Sequence, residues 1–306
     1  MYKKFLLLAL LLIHEPLCSF EWRVENRISL APAWQSFYSY TEFELSPQAF
    51  VPIQSQAEEV KTGLIMMPYF EGRSRVYLGE HINFQIAAGG GFFHNKSLNI
   101  IDYLFFVVTP TDIASTSFVL PARTDNNLVT VDVQGGSQWC CGCAWMSLNP
   151  LVGYVYNQQK FFSSFLDIPG TMNINTKWSG PYVGIEGALY PTDRVTLRGL
   201  YKCVLGRVHS LIGVVEPPFF LVNLNSDAGC SSYRAPVLGN IVTGEFRYDL
   251  HRHASVGINV AYWQYQNRKD RALKIISDPA EFVEKSIVDR FVWRQIIVNF
   301  FLECPF

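Results

Sequence analysis

Ile296-Ile-Val-Asn-Phe-Phe-Leu-Glu-Cys-Pro-Phe306 closes the chain, with apolar side chains at every second position: Ile296, Val298, Phe300, Leu302 and Cys304. Successive side chains of a β-strand point to opposite faces, so this spacing predicts a strand with one unbroken apolar face. Such a face suits lipid when the other face lines the inside of a closed barrel. A half-buried strand of a water-soluble sheet has the same local pattern, so the rest of the chain must decide between the two.

At the other end, Lys3 and Lys4 precede the apolar run Phe5 to Ile13, and Leu17-Cys18-Ser19 follows a polar break. Nine apolar residues are too few to cross a bilayer as a helix, which needs roughly twenty. Residues 1–19 therefore read as a cleaved signal peptide, and residues 20–306 as one exported domain. Leu17 is bulky where lipid-attachment signals before a cysteine prefer a small residue, which argues against lipidation at Cys18. No later apolar run is both long enough for a helical span and free of turn residues. Hydrophobic residues make up 49% of the chain, charged residues 17% and aromatics 15%, a balance that suits lipid-facing sheet better than a soluble exported protein. The net charge of −1 argues against a nucleic-acid partner, since neutralising phosphates needs a basic excess.

Strand, polar turn and strand recur four times, predicting four tight hairpins. Their turns are Leu78 to His81, Asn157 to Lys160, Pro191 to Arg194 and Asp249 to His253. Between them lie long irregular connections: 31–60, 95–137, 163–179, 206–236 and 267–286. With a first strand from Glu21 to Leu30 and a last from Asp289 to Phe306, the expectation is an all-β, antiparallel up-and-down transmembrane barrel of about ten strands. It would have short periplasmic turns, long outer loops and both termini in the periplasm. The apolar run Tyr103 to Thr109 would raise the count towards twelve. Ile296 to Phe306 should pair with Glu21 to Leu30 to close the cylinder.

Alternation also assigns the faces. Val195, Leu197, Tyr201 and Cys203 alternate with Thr196, Arg198 and Lys202, and Val242, Phe246 and Tyr248 with Thr243, Glu245 and Arg247. The same rule turns Trp22, Val24, Ile28 and Leu30 outward. The resulting lumen-lining set is Arg23, Glu25, Arg27, Glu71, Arg73, Arg75, Glu186, Arg198, Lys202, Glu245 and Arg247, joined by Glu303 from the last strand. Charges in so narrow a cylinder must be paired or hydrated. The interior is thus either filled by cross-strand ion pairs, the favoured reading, or holds a thin water path with a slight preference for anions.

Cysteine is the most distinctive chemical feature. The export route permits disulfides, and Cys140, Cys141 and Cys143, placed where the second long loop re-enters the barrel, could bridge to Cys230 in the fourth loop. Cys304, near the opposite rim, is expected to be unpaired within one molecule. A zinc site would need a different spacing, because three cysteines in four positions lack the two-residue gap that lets a pair share one metal. Disulfides to other envelope proteins suit the adjacent pair and the remote Cys304 better, so neither metal nor cofactor is expected. Gly89-Gly-Gly91 reads as close packing or a strand bend, since no phosphate-binding helix follows it.

The layout resembles that of the omptins, outer-membrane proteases, through Trp178-Ser-Gly-Pro-Tyr-Val-Gly-Ile185, the hairpin after it and Leu200-Tyr201-Lys202. That family's Asp-His couple and Asp pair would imply peptide hydrolysis by an activated water. Here Arg207 stands where the partner of His209 would be, Asp227 lies farther along, and Asp102 and Asp112 do not form an Asp-x-Asp. No catalytic residues are therefore assigned, and the chain is read as non-enzymatic. A second resemblance is to outer-membrane proteins of the Protochlamydia type. It rests on Asn149-Pro-Leu-Val-Gly-Tyr-Val-Tyr156 with Gln159-Lys160-Phe161, on Lys177 to Gly184 and on the last strand, and it covers 139–306. It implies a surface-exposed, porin-like barrel. A terminal aromatic like Phe306 resembles the sorting signal of bacterial outer-membrane barrels. That implies an outer-membrane location, insertion by the barrel-assembly machinery and contact with outer-membrane lipid. The expected function is porin-like or structural; an omptin-like endopeptidase and an adhesin using the long loops are the alternatives.

Overall fold

The computed structural model describes residues 22–44, 55–62, 65–79, 81–109, 112–140, 145–166, 171–215, 229–251, 254–267, 273–276 and 285–305. The expected leader 1–19 and Phe306 lie outside them. The elements are β1 (Trp22–Glu44), β2 (Ser55–Thr62), β3 (Ile65–Leu78), β4 (Ile82–Thr109), β5 (Asp112–Ser137), β6 (Trp139–Cys140), β7 (Met146–Phe165), β8 (Thr171–Thr192), β9 (Val195–Val215), β10 (Gly229–His251), β11 (Ala254–Asn267), β12 (Leu273–Ile276) and β13 (Lys285–Pro305).

Ten of these strands form one closed antiparallel ring, in the order β1, β3, β4, β5, β7, β8, β9, β10, β11, β13 and back to β1. The short strands are accessory. β2 lies against β1 and β4, β6 against β7, and β12 against β10 and β13. The seam runs from Glu25↔Pro305 through Leu30↔Phe300 to Glu44↔Lys285, so the last strand does close on the first, and over a longer register than expected. Closure satisfies every strand's backbone ladder, which a sheet surrounded by lipid requires.

Outward positions carry the apolar belt. Ile28 is 76% exposed, Val183 62% and Phe300 56%, with Phe84, Ile86, Ile185 and Phe246 on the same face. An apolar surface on that scale is not stable in water, whereas against lipid chains it is the matching surface. Above the belt the outward face turns polar, with Asn127, Lys160, Asn173, Arg207, Arg234 and Arg294.

Three of the four expected tight turns are present. The first uses Gly79, whose φ of 65° lies in the left-handed region that glycine enters without a side-chain penalty. The turn expected at Asn157 to Lys160 is instead the middle of β7, which runs unbroken from Met146 to Phe165. Asn157 and Gln159 are buried inside the barrel while Gln158 and Lys160 point outward above the belt, so a polar run that looked like a turn is a strand wet on one face and amide-lined on the other. The short turn that belongs there follows β6, where Cys140 pairs with Ser147. The segment 95–137 was expected to be loop; it holds the upper part of β4 and all of β5, which pair as far as Thr109↔Asp112. One strand missed and one strand split left the count of ten correct.

Gly89 makes room for a core residue. A Cβ there would stand 2.1 Å from the Tyr69 hydroxyl, and Tyr69, fully buried, reaches over the glycine to bond Thr130 Oγ1 at 2.6 Å.

A charge placed on the belt tests the lipid-facing assignment. Val183→Arg should lower stability in lipid vesicles, measured by urea titration, by about 2–4 kcal/mol. Gln158→Arg, outward but above the belt, should stay within about 0.5 kcal/mol of wild type.

Candidate functional site

The inward charges among the described residues are Glu25, Glu71, Asp132, Glu186, Glu245, Asp249 and Glu303 against Arg23, Arg27, Arg73, Arg75, Arg198, Lys202 and Arg247. All eleven residues of the sequence-derived lumen set are on this face. Asp132 and Asp249 are additions. Asp132 was missed because β5 was read as loop, although Thr130, Asp132 and Gln134 alternate with Val129, Val131 and Val133. With both included the interior holds seven acids and seven bases.

These charges bridge the bore as well as neighbouring strands. Arg27 donates from Nη2 to Glu303 Oε2 at 2.6 Å across the seam, and again from Nη2 to Glu245 Oε1 at 3.0 Å on β10, three strands round the ring. Its guanidinium also covers the Phe301 ring at 3.7 Å. Arg75 on β3 grips Glu186 on β8 with two bonds, 3.0 and 2.8 Å, and donates from Nε to Gln85 at 2.9 Å. Lys202 on β9 pairs with Asp132 on β5 and donates to the Tyr182 hydroxyl at 3.0 Å. Arg247 joins Glu303 at 2.6 Å and Asp249 at 2.8 Å. Arg27, Glu245, Glu303 and Lys202 have side chains at most 4% exposed. Burial this deep demands pairing, because a lone ion in a low-dielectric interior costs several kcal/mol. Of these, only Arg23, at the short-turn rim, is substantially solvated, with its side chain 58% exposed.

A second closure lies above the first. Trp178, Trp293 and Tyr265, from β8, β13 and β11, meet with ring centroids 5.0, 6.3 and 5.5 Å apart. Amides hold their polar atoms: Trp293 Nε1 donates to Gln159 Oε1 at 2.9 Å, and Asn157 Nδ2 to the Tyr265 hydroxyl at 3.2 Å. Glu186 and Trp178 are eight residues apart on β8, so the two layers are separated by roughly 25 Å along the strand.

The cysteine expectation needs correction. Cys140 lies at the short-turn end, paired with Ser147, whereas Cys230 lies at the outer end, paired with Gly213. A bridge between them would have to span the height of the barrel, far beyond the 4.4–6.8 Å or so between Cα atoms that a disulfide allows. Cys141 and Cys143 fall outside the described residues. Cys304 and Cys203 are free thiols on the outward face.

His209 is not in a loop. It belongs to β9, on the outward face with Leu205 and Arg207, while its neighbours Val208 and Ser210 are fully buried inside. Its cross-strand partners are Lys177 on β8 and Arg234 on β10, both basic.

No family model matches the chain, and no curated protein matches it, so the resemblance to the Protochlamydia type remains a reading of the sequence. Among solved structures, the outer membrane protease OmpT from Escherichia coli superposes with a TM-score of 0.69 at 14% identity, over 94% of this chain and 99% of that one. The fold is that of an outer-membrane β-barrel. A FadL homologue of Pseudomonas aeruginosa (TM-score 0.30, 9% identity, 92% and 90% coverage) and an anion-selective porin from Comamonas acidovorans (0.18, 9%, 94% and 100%) superpose too loosely to inform this chain.

Removing Arg27 leaves Glu245 and Glu303 facing each other without their shared guanidinium. Arg27→Ala should cost about 3–5 kcal/mol in urea unfolding from vesicles. Arg23→Ala, at a half-solvated site, should cost no more than about 1 kcal/mol.

Proposed function

We propose that this protein is an outer-membrane barrel whose bore is closed and which acts through its outer surface, as a structural or surface-presenting protein. The observation that carries this reading is the set of three ion pairs that cross the lumen: Arg27 to Glu245, Arg75 to Glu186 and Lys202 to Asp132. Each joins strands three or four places apart in the ring, and the aromatic cluster crosses the bore again above them. Solute flow would have to break charge pairs in a medium where an unpaired ion is costly. Its partners are outer-membrane lipid on the belt and the barrel-assembly machinery that inserts it.

The position of His209 supports a non-enzymatic reading over peptide hydrolysis. A water-activating imidazole acts on a substrate held in front of it, and this one lies on the outward face of β9, between Lys177 of β8 and Arg234 of β10.

Planar-bilayer recording of the refolded protein should give no steady ohmic channel. Arg27→Ala combined with Trp293→Ala, which removes one crossing pair of the lower closure and one ring of the upper, should give transient conductance steps that the wild type lacks. A stable wild-type channel of porin size would overturn the reading, and so would peptide cleavage abolished by His209→Ala.

A further inference from the structure

Above the belt the strands are not equally provided with neighbours. β5 pairs with β4 along its length, up to Thr109↔Asp112, but its other neighbour, β7, reaches only as far as Ala122↔Phe165. Among the described residues, 112–121 of β5 therefore carry a strand on one side only. Elsewhere the chain fills such gaps with its own short strands. β2 lies between β1 and β4 beyond the end of β3, and β12 lies between β10 and β13.

A free strand edge presents a row of N–H and C=O groups that another extended chain can pair with, and proteins usually blunt it with a lysine, a proline or a bulge. Ile113-Ala-Ser-Thr-Ser-Phe-Val-Leu120 has no charged residue, no proline and no glycine. Its register against β4 is unbroken from Val107↔Ile113 to Asn99↔Pro121, so no bulge turns it aside. Ile113, Thr116, Phe118 and Val119 also favour the extended conformation. The blunting residues stand just outside it, at Asp112 and Pro121.

We infer that residues 113–120 of β5 are a docking edge for an extended segment of a partner protein, which joins the sheet as an antiparallel strand. Main-chain bonds supply the affinity, so the partner is defined by a proline-free, extended backbone more than by particular side chains. A second copy in the same membrane fits less well, because its β5 runs in the same direction and parallel pairing is the weaker ladder. Such docking is one form of the outward-acting role proposed above, and it does not depend on the bore being closed.

The strand that already pairs with this stretch supplies the probe. A labelled synthetic peptide of Asn99 to Val107, with two lysines at each end for solubility, should bind the refolded protein saturably in fluorescence anisotropy. The same peptide N-methylated at every residue keeps its side chains, loses its donors and should not bind. Successive N–H groups of a strand point to opposite sides, so one of Ser115→Pro and Thr116→Pro removes a donor from the free edge. At least one of the two should bind the peptide about tenfold more weakly, as the loss of one or two main-chain bonds predicts, with its heat-modifiable gel migration unchanged. No saturable binding to the wild type, equal binding of the methylated peptide, or wild-type affinity in both proline variants would each overturn the proposal. So would a wild-type dimer that either proline variant dissociates, since the edge would then belong to a second copy.

Discussion

The barrel depends on the placement of Arg27. It stands on β1 directly opposite Glu303 of β13, at the seam where the ends of the sheet meet, and it also holds Glu245 from across the bore. Arginine suits this position because its planar fork can satisfy two carboxylates at once and stays charged when buried, which a lysine would do less well. A slip of β13 by one residue against β1 would turn Glu303 into lipid and bring Leu302 inside, leaving Arg27 without that partner. The ion pair and the belt therefore select the same register. An ion pair of this kind adds little net stability compared with a well-packed apolar replacement. Its effect here is to penalise every other register.

The interior is layered by chemical type. Ion pairs fill the half nearer the tight turns, where a rigid fork-to-carboxylate geometry can be kept. Higher up, Asn157, Gln159 and the aromatic trio replace charges with neutral donors and acceptors. An amide or an indole needs no counter-ion, so this layer can close the bore without an unpaired charge.

Much of this was legible from period two alone. The parity of β1, β3, β8, β9, β10 and β13 follows from the alternation of their residues, and that parity places the charged residues inside. The failures have one physical cause. Turn prediction relies on local polarity, but a barrel strand that passes above the lipid belt is polar outside and amide-lined inside, so Asn157 to Lys160 resembled a turn and 122–127 a loop. The error carried over to the cysteines: once β5 was lost, Cys140 was assigned to the wrong end of the barrel. The pairs that cross the bore were not legible, because partners such as Arg75 and Glu186 are 111 residues apart and meet only when the ring closes.

A protease shares this ring of ten strands, but a ring of strands does not by itself determine function. A peptidase site on such a barrel needs polar groups that solvent and substrate can both reach. Among the described residues the charged inward positions are paired with one another, seven against seven, and an aromatic layer lies above them. Among the described residues, polar side chains at this end that solvent can reach include the outward Lys160, Lys177, Arg207, His209 and Arg234, which lean away from the bore. That outward face is convex, and a convex wall suits contact with lipid headgroups or neighbouring proteins.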